Sequence, residues 1–500
     1  MRSIVFLIFC CLSLVARAAL DPAVVRQLGA EEADAKIAAI QQLALSAEPE
    51  ALALLQQLAD GRLKNEQGED ITINNRVRRA LEGALAVLKL IDPNTAVRYA
   101  AVKEIAANVD ASMAAMLAKA RDRESDAKIR ALLVEAHALS TLDAADVQVR
   151  LAAATALASS ADPNTRARLK ARSEPANESD SAVRRAAFQS YLAVKDRLTL
   201  AETLGRVFAG LSLGSILLLA ALGLAITYGV MGVINMAHGE LLMIGAYATY
   251  AMQSLFRSYF PAQLDAYLLA AIPVAFCATA AVGVLLERTV IRWLYGRALE
   301  TLLATWGLSL MLIQSARVIF GAQNVEVANP LWMSGGLEIL PSIVLPLNRI
   351  VIVGFALLVL ALVWALLNKT RLGMFVRAVT QNRAMAGCVG VQTGRIDTVA
   401  FALGAGIAGL GGVALSQIAN VGPDMGQGYI VDSFMVVVLG GVGQLAGAVW
   451  AALGLGVVTK FIESWASAVI AKIVVLVFVI IFIQKRPQGL FALKGRFVES

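Results

Sequence analysis

Residues 370–412 read TRLGMFVRAVTQNRAMAGCVGVQTGRIDTVAFALGAGIAGLGG. The first half is basic and rich in small residues, and it joins two long apolar segments near 349–367 and 397–418. Lys369, Arg371, Arg377, Arg383 and Arg395 assign this connector to the cytoplasmic side, because positively charged loops are retained there. Ala378, Ala384, Ala386 and Gly387 carry so little side chain that another surface can approach closely. The pattern predicts a short helix over 374–387 lying at the membrane surface, where its arginines can meet carboxylates of a partner. The connector and its flanks define the class: an all-α, polytopic membrane protein.

The rest of the chain agrees. Of 500 residues, 58% are hydrophobic and 16% are charged, against roughly 45–50% and 25% in soluble domains. Apolar segments long enough to cross a bilayer run near 207–230, 238–256, 266–288, 300–320, 349–367, 397–418 and 468–484. The region 430–463 is interrupted by Gly440, Gly441, Gly443 and Gly447 and reads either as two short spans or as a re-entrant hairpin, giving about 8–9 spans. Either choice leaves the loops 287–297, 368–395 and 484–496, with Arg288, Arg292, Arg297, Lys485, Arg486, Lys494 and Arg496, on the cytoplasmic side. The stretches 321–348 and 420–428 then face outward. The net charge of +7 reflects topology and lipid headgroup contact; no basic face interleaved with aromatic residues suggests nucleic acid.

Residues 1–18 read as a secretory signal: Arg2, an apolar core over 4–15, and Ala16-Arg17-Ala18 as a cleavage site. The retained alternative is an uncleaved anchor. Residues 20–200 are Ala-rich, charged and helical. Val77-Arg78, Val97-Arg98, Ile129-Arg130, Val149-Arg150 and Val183-Arg184 recur, and Asp92-Pro93-Asn94-Thr95 returns as Asp162-Pro163-Asn164-Thr165. This resembles stacked helical hairpins of HEAT type, each burying its apolar face on its neighbours. After a signal peptide this domain is expected in the periplasm, ahead of a membrane domain over 205–496. Cys10, Cys11, Cys277 and Cys388 form no disulfide or zinc pattern, and His137 reads as an ordinary surface or packing residue.

Inside the apolar part, 228–247 reads YGVMGVINMAHGELLMIGAY. Asn235, His238 and Glu240, with Tyr228 before them, are either elements of a transport pathway, since polar groups at membrane depth face a cavity or a partner, or caps of a short cytoplasmic turn. Glycines 229, 232 and 239 permit a helix break there. Asp424 and Asp432, near Tyr429 and Ser433, either shape the outer mouth or cap helices. Lys460, Glu463 and Lys472 are expected to reach water at the outer interface. Gly404, Ala408 and Gly412 stand one helical turn apart, as do Gly443 and Gly447, which suits close helix packing. No phosphate-binding Gly-x-x-x-x-Gly-Lys-Ser/Thr loop, nucleophile triad or metal cluster is present in the sequence.

Gly373, Arg377, Ala378, Asn382, Ala386 and Gly390, followed by Phe401, Gly404, Ala408, Gly409 and Gly412, resemble the cytoplasmic coupling loop of branched-chain amino-acid-type ABC importer permeases, and 228–247 is a second match. Arg371 and Arg383 belong to the same loop, which spans about 370–396. Val391 stands where Ile is commoner in that family. The resemblance covers about 205–496. It implies a second homologous permease subunit, two cytoplasmic ATPase subunits that hold ATP and Mg, a periplasmic substrate-binding protein, and no cofactor or metal on this chain. The helical extension and the ending RPQGLFALKGR (486–496) resemble the urea-transporting members, B type, which implies a urea permease in the bacterial inner membrane. A permease for branched-chain amino acids or short amides is the alternative within the class. A membrane-anchored HEAT-type binding or sensor protein explains neither the many spans nor the loop, and a passive urea channel has no need of the loop.

Overall fold

The computed structural model describes residues 22–491 except 31, 47–48, 65–70, 72, 91, 108 and 341–342. The leader at 1–18, with Cys10 and Cys11, and the end of the chain from 492 lie outside the described residues. The chain divides into two compact units between Thr199 and Leu200.

The first unit is a sequential stack of helices: α1 (Pro22–Gln27), α2 (Ala33–Ser46), α3 (Pro49–Ala59), α4 (Asn75–Lys89), α5 (Thr95–Ala107), α6 (Ala114–Arg123), α7 (Ala127–Thr141), α8 (Val147–Ala156), α9 (Pro163–Ser173) and the start of α10 (Ser181–Met231). From α2 to α8 each helix packs on one or two places along the chain, which suits a repeat array. The recurring apolar-Arg pair has a mechanical explanation. An Asx side chain caps a helix start, as Asp126, Asp146 and Asp180 do. The arginine four residues later reaches back to the loop before the cap. Arg98 donates to the carbonyls of Asp92 and Pro93, Arg150 to those of Ala144 and Ala145, and Arg184 to those of Glu178 and Ser179. Two of these arginines are also gripped by a buried carboxylate from further along the chain: Arg98 by Glu124 at 3.0 Å and Arg150 by Glu178 at 2.9 Å. The Arg150 guanidinium holds the Glu178 carboxyl below its ordinary range. The two Asp-Pro-Asn-Thr copies are not equivalent. The helix starts at Thr95 in the first and at Pro163, under an Asp162 cap, in the second.

The second unit holds the remainder of α10, then α11 (His238–Tyr259), α12 (Tyr267–Thr289), α13 (Ala298–Phe320), α14 (Leu347–Lys369), α15 (Arg371–Gln381), α16 (Arg383–Cys388), α17 (Thr393–Ser416), α18 (Met425–Gly440), α19 (Leu445–Glu463) and α20 (Ala468–Lys485). Among the described residues seven helices are long and apolar enough to cross a membrane: α10, α12, α13, α14, α17, α19 and α20. Two expected spans depart from that criterion. Helix α11 has the length but carries His238, Glu240, Gln253 and Arg257, and it packs against α12, α17 and α18. Helix α18 has only 16 residues. At 430–463 the chain forms two helices joined at 441–444, a form common to two short spans and a re-entrant hairpin. That turn lies against Gly229 and the 488–491 segment, with Leu490 N–H donating to Leu439 O at 2.8 Å. The all-α expectation also needs one amendment: β1 (Gly336–Leu340) and β2 (Ile343–Pro346) form a small antiparallel hairpin within 321–348.

Helix α17 is the centre of this unit: 83% of its apolar window is buried, against 17% for the peripheral α20. Its small residues are the reason. A Cβ on Gly404 would press on Gly223 of α10, and one on Gly412 would collide with the α11 backbone at Leu242. Without hydrocarbon–water driving force between spans, such contacts supply the packing energy. The small-residue spacing read from the sequence is thus a packing device.

Candidate functional site

Two regions carry the chemistry: the α15–α16 corner and the break between α10 and α11.

The corner is not the single helix expected over 374–387. It is two short helices divided at Asn382. Asn382 ends α15 and caps α16, its Oδ1 accepting from Met385 N–H at 2.9 Å. Gly390 closes α16 at φ +88°, and Val391 N–H returns to Ala386 O at 3.0 Å, a Schellman turn that needs a residue free to be left-handed. Gly373 lies where α14 folds onto α15, and a Cβ there would strike Leu367. Arg377 donates to Leu367 O at 2.6 Å, placing its charge on the exposed carbonyls that end α14. Arg383 pairs with Asp397 on α17. Val376, Val379 and Ala386 are buried, and Ala378 packs beside them.

Several of the residues read as a docking surface also build the corner: Gly373 and Ala386 are buried in it, while Arg371, Arg377, Asn382, Arg383 and Gly390 stay exposed. Arg377 and Arg383 are committed to partners within the chain, Ala386 is turned inward, and Arg371 stays exposed. The outward face also holds apolar residues to which the sequence reading gave no role. Met385 is 61% and Val389 72% exposed, with Gly387 and Cys388 between them and Met374 (52%) on α15. An exposed apolar knob on a basic corner is a contact surface in search of a partner. The Asn cap and the Gly stop were the sequence signals that would have delimited α16 and exposed this phase.

In the second region, α10 ends at Met231, Gly232 turns at φ +65°, and α11 starts at His238. Asn235 Oδ1 accepts from Ala237 N–H at 3.0 Å. Met236 N–H donates to Thr305 Oγ1 at 3.1 Å, and one turn along α13 the Ser309 hydroxyl donates to Glu240 Oε1 at 2.9 Å. His238 Nε2 lies 3.0 Å from Ala220 O, and a carbonyl only accepts, so the ring carries its proton on Nε2. His238 thus faces α10 while Glu240 faces α13. Asn235, His238 and Glu240 are all at most 1% exposed and form a buried cluster. Asn235 Nδ2, His238 Nδ1, Glu240 Oε2 and the Tyr247 hydroxyl have no protein partner. Buried polar groups are costly when unpaired, so this concentration marks a place where the protein keeps hydrogen-bonding capacity open. Thr305 and Ser309, an i, i+4 pair in an apolar helix, are its unforeseen members.

The other polar residues find their partners outside this cluster, although the start of α18, beside Asp424, packs on Gly239 and Glu240. Asp424 is 2.7 Å from Arg317 and exposed, and Asp432 is 3.2 Å from Lys472. Lys460 pairs with Glu463. The Tyr228 ring packs 6.5 Å from that of Phe434. Among the described residues no group of three or more His, Cys, Asp or Glu side chains is placed to hold a metal.

Comparison with known proteins follows this geometry. The chain is 31% identical over 258 residues to the high-affinity branched-chain amino acid transport system permease protein BraD of Pseudomonas aeruginosa, covering 50% of the chain and 83% of that protein. It is 28% identical over 295 residues to LivH of Escherichia coli, covering 57% and 94%. A shorter likeness, 27% over 130 residues, joins it to the ribose import permease protein RbsC of Escherichia coli, covering 24% and 40%. No solved structure matches. The family profile described as branched-chain amino acid transport system / permease component matches residues 206–484, more than half of the chain and both regions above, and the chain belongs to that family of multi-pass membrane permeases.

Proposed function

We propose that the chain is the permease subunit of an ATP-driven importer, and that its solute is urea. The observation that carries the first part is the α16 knob of Met385 and Val389, offered on a capped and ion-paired corner within a permease-family domain. In this reading the knob docks on a cytoplasmic ATPase subunit, a second homologous permease completes the pathway, and a periplasmic binding protein delivers the solute. ATP and Mg belong to the ATPase subunits. The solute passes the α10–α11 break, where Glu240 Oε2 accepts N–H groups and the Asn235 amide donates to a carbonyl.

Two observations support urea. A separate helical unit precedes the family match, and in this reading it corresponds to the HEAT-type extension of the urea-transporting members. The open groups at the break suit a small, neutral, planar solute with several donors and one acceptor. A branched-chain amino acid carries a carboxylate, and no Arg or Lys hydrogen-bonds to Asn235, His238 or Glu240 among the described residues. The second reading, branched-chain amino acids, is favoured by the names of the relatives. Labelled urea and labelled leucine uptake in a strain lacking this chain decides between them. Loss of urea uptake with leucine untouched is expected; the reverse moves the assignment to amino acids.

The proposed orientation puts the first unit in the periplasm and α15–α16 in the cytoplasm of the inner membrane. Cys388 is exposed and serves as its own probe once Cys277 is replaced. Leu337→Cys on β1 (52% exposed) reports the opposite side. In intact spheroplasts an impermeant thiol reagent is expected to label position 337, and to reach Cys388 only after permeabilisation. Labelling of Cys388 alone reverses the orientation.

A further inference from the structure

Away from the knob and the α10–α11 break, a second set of buried charges lies at the root of the corner. Asp397, at the start of the second turn of α17, is fully buried, and so is Glu287 near the end of α12. Neither is needed to define the knob or the break. Arg383, the first residue of α16, forms an ion pair with Asp397 and lays its guanidinium 4.8 Å from the centre of the Tyr295 ring. Next to Asp397, Thr398 donates its hydroxyl to Glu287 Oε2 at 2.8 Å, tying α17 to α12.

This is a poor design for stability alone. Arg383 pairs with Asp397 and the Thr398 hydroxyl bonds to Glu287, but Asp397 Oδ1, Glu287 Oε1 and the Tyr295 hydroxyl are left without hydrogen-bond partners. A half-satisfied buried network costs more than an apolar contact of the same shape. Its value lies in what it joins. On one side is the six-residue helix that carries the knob. On the other is α17, the most buried span, where Phe401, one turn beyond Asp397, packs in a cluster with Leu286 of α12 and Val233 of the α10–α11 break.

We infer that the Arg383–Asp397 pair is a positioning latch that transmits displacement of α16 to α17 and so to the break. This rests on the reading of α16 as the ATPase-docking helix. An ion pair whose carboxylate keeps a spare acceptor, Asp397 Oδ1, holds the corner under load and still lets the guanidinium turn without leaving the buried charge stranded. A purely apolar root would let α16 slide.

The test uses the full importer, with this chain in its complex, reconstituted in vesicles. Three quantities are read for each variant: ATPase subunits retained on purification, ATP hydrolysed, and solute taken up per inserted permease. Asp397→Asn keeps the shape and removes the charge; Arg383→Gln acts from the half-exposed side of the same pair. Both are expected to retain the ATPase and its hydrolysis while ATP spent per solute rises at least about 10-fold, and Arg383→Lys recovers a large part of the coupling. An unchanged ratio of ATP to solute in both variants overturns the latch. So does failure of both to insert, which makes the pair a folding element, and so does loss of ATPase retention in step with uptake, which makes it part of the docking face. If instead the wild-type knob proves not to bind the ATPase, the docking assignment itself has failed, a result visible in Gly387→Trp rather than here.

Discussion

Gly387→Trp is expected to leave the chain inserted and to abolish uptake. Gly387 lies on the exposed side of α16, and no heavy atom stands within 4 Å of where its Cβ would be, so the new side chain starts into open space. Its backbone is helical, and a side chain there favours the helix by up to about 1 kcal/mol over glycine. The cost falls wholly on the partner. Forcing a large ring into a close-packed contact costs typically 1–3 kcal/mol, roughly a 5- to 150-fold loss of affinity, and the ring also displaces Met385 and Val389 from their seats. Ala386→Trp is the less informative change, because Ala386 is 4% exposed and the ring would wreck the corner itself. Uptake is to be measured per inserted chain, with co-purification of the ATPase. Full uptake and full co-purification with Gly387→Trp would remove α16 from the docking surface.

That choice of residue shows where the sequence was legible and where it was not. Long apolar runs and the arginine bias located most spans and the corner, because hydrocarbon thickness and charge retention act on single segments. The glycine and alanine spacing of α17 announced close packing, and the structure places those residues against α10 and α11. The facing of the corner was not legible. Small residues suit an external partner and an internal one equally well, and only burial separates exposed Gly387 from buried Ala386. Arginines likewise offer themselves to any acceptor. Arg377 took a carbonyl of its own chain and Arg383 a carboxylate on the following span. Glu287 and Asp397 were unreadable for another reason. Each ends or begins a span as one unremarkable acid, and Thr398 reaches Glu287 across 111 positions of chain. At the break, the helix interruption was visible in Gly232, but the partners of Glu240 lie on α13, about 70 residues away, where two hydroxyl residues in an apolar helix give little notice.

Glu240→Leu is the second large effect. The substitution removes a buried acceptor and leaves the shape of α11 nearly intact. Leucine is a good helix former, and the Ser309 hydroxyl, freed of its partner, can turn to the Thr305 carbonyl one turn back, as Thr305 itself does towards Thr301. Removal of a half-satisfied buried carboxylate, whose Oε2 lacks a partner, is expected to leave folding unharmed or improved, since that group is costly to bury. The transport step loses instead. A solute that donates N–H to Glu240 Oε2 forfeits a charge-assisted hydrogen bond, about 1.5–3 kcal/mol, so uptake per inserted chain is expected to fall about 10- to 100-fold. ATPase co-purification stays at the wild-type level, because α16 is untouched. Asn235→Leu is the companion variant. It removes both the unpaired amide and the cap on Ala237 N–H, so it lowers uptake and insertion together. Glu240→Gln restores an acceptor without charge and falls between wild type and Leu. The capping alternative makes the opposite forecast: fewer inserted molecules, each transporting at the normal rate. Normal uptake per inserted molecule in Glu240→Leu would take the break out of the solute path. It would also leave the open acceptors of Glu240 and His238 as features of packing alone.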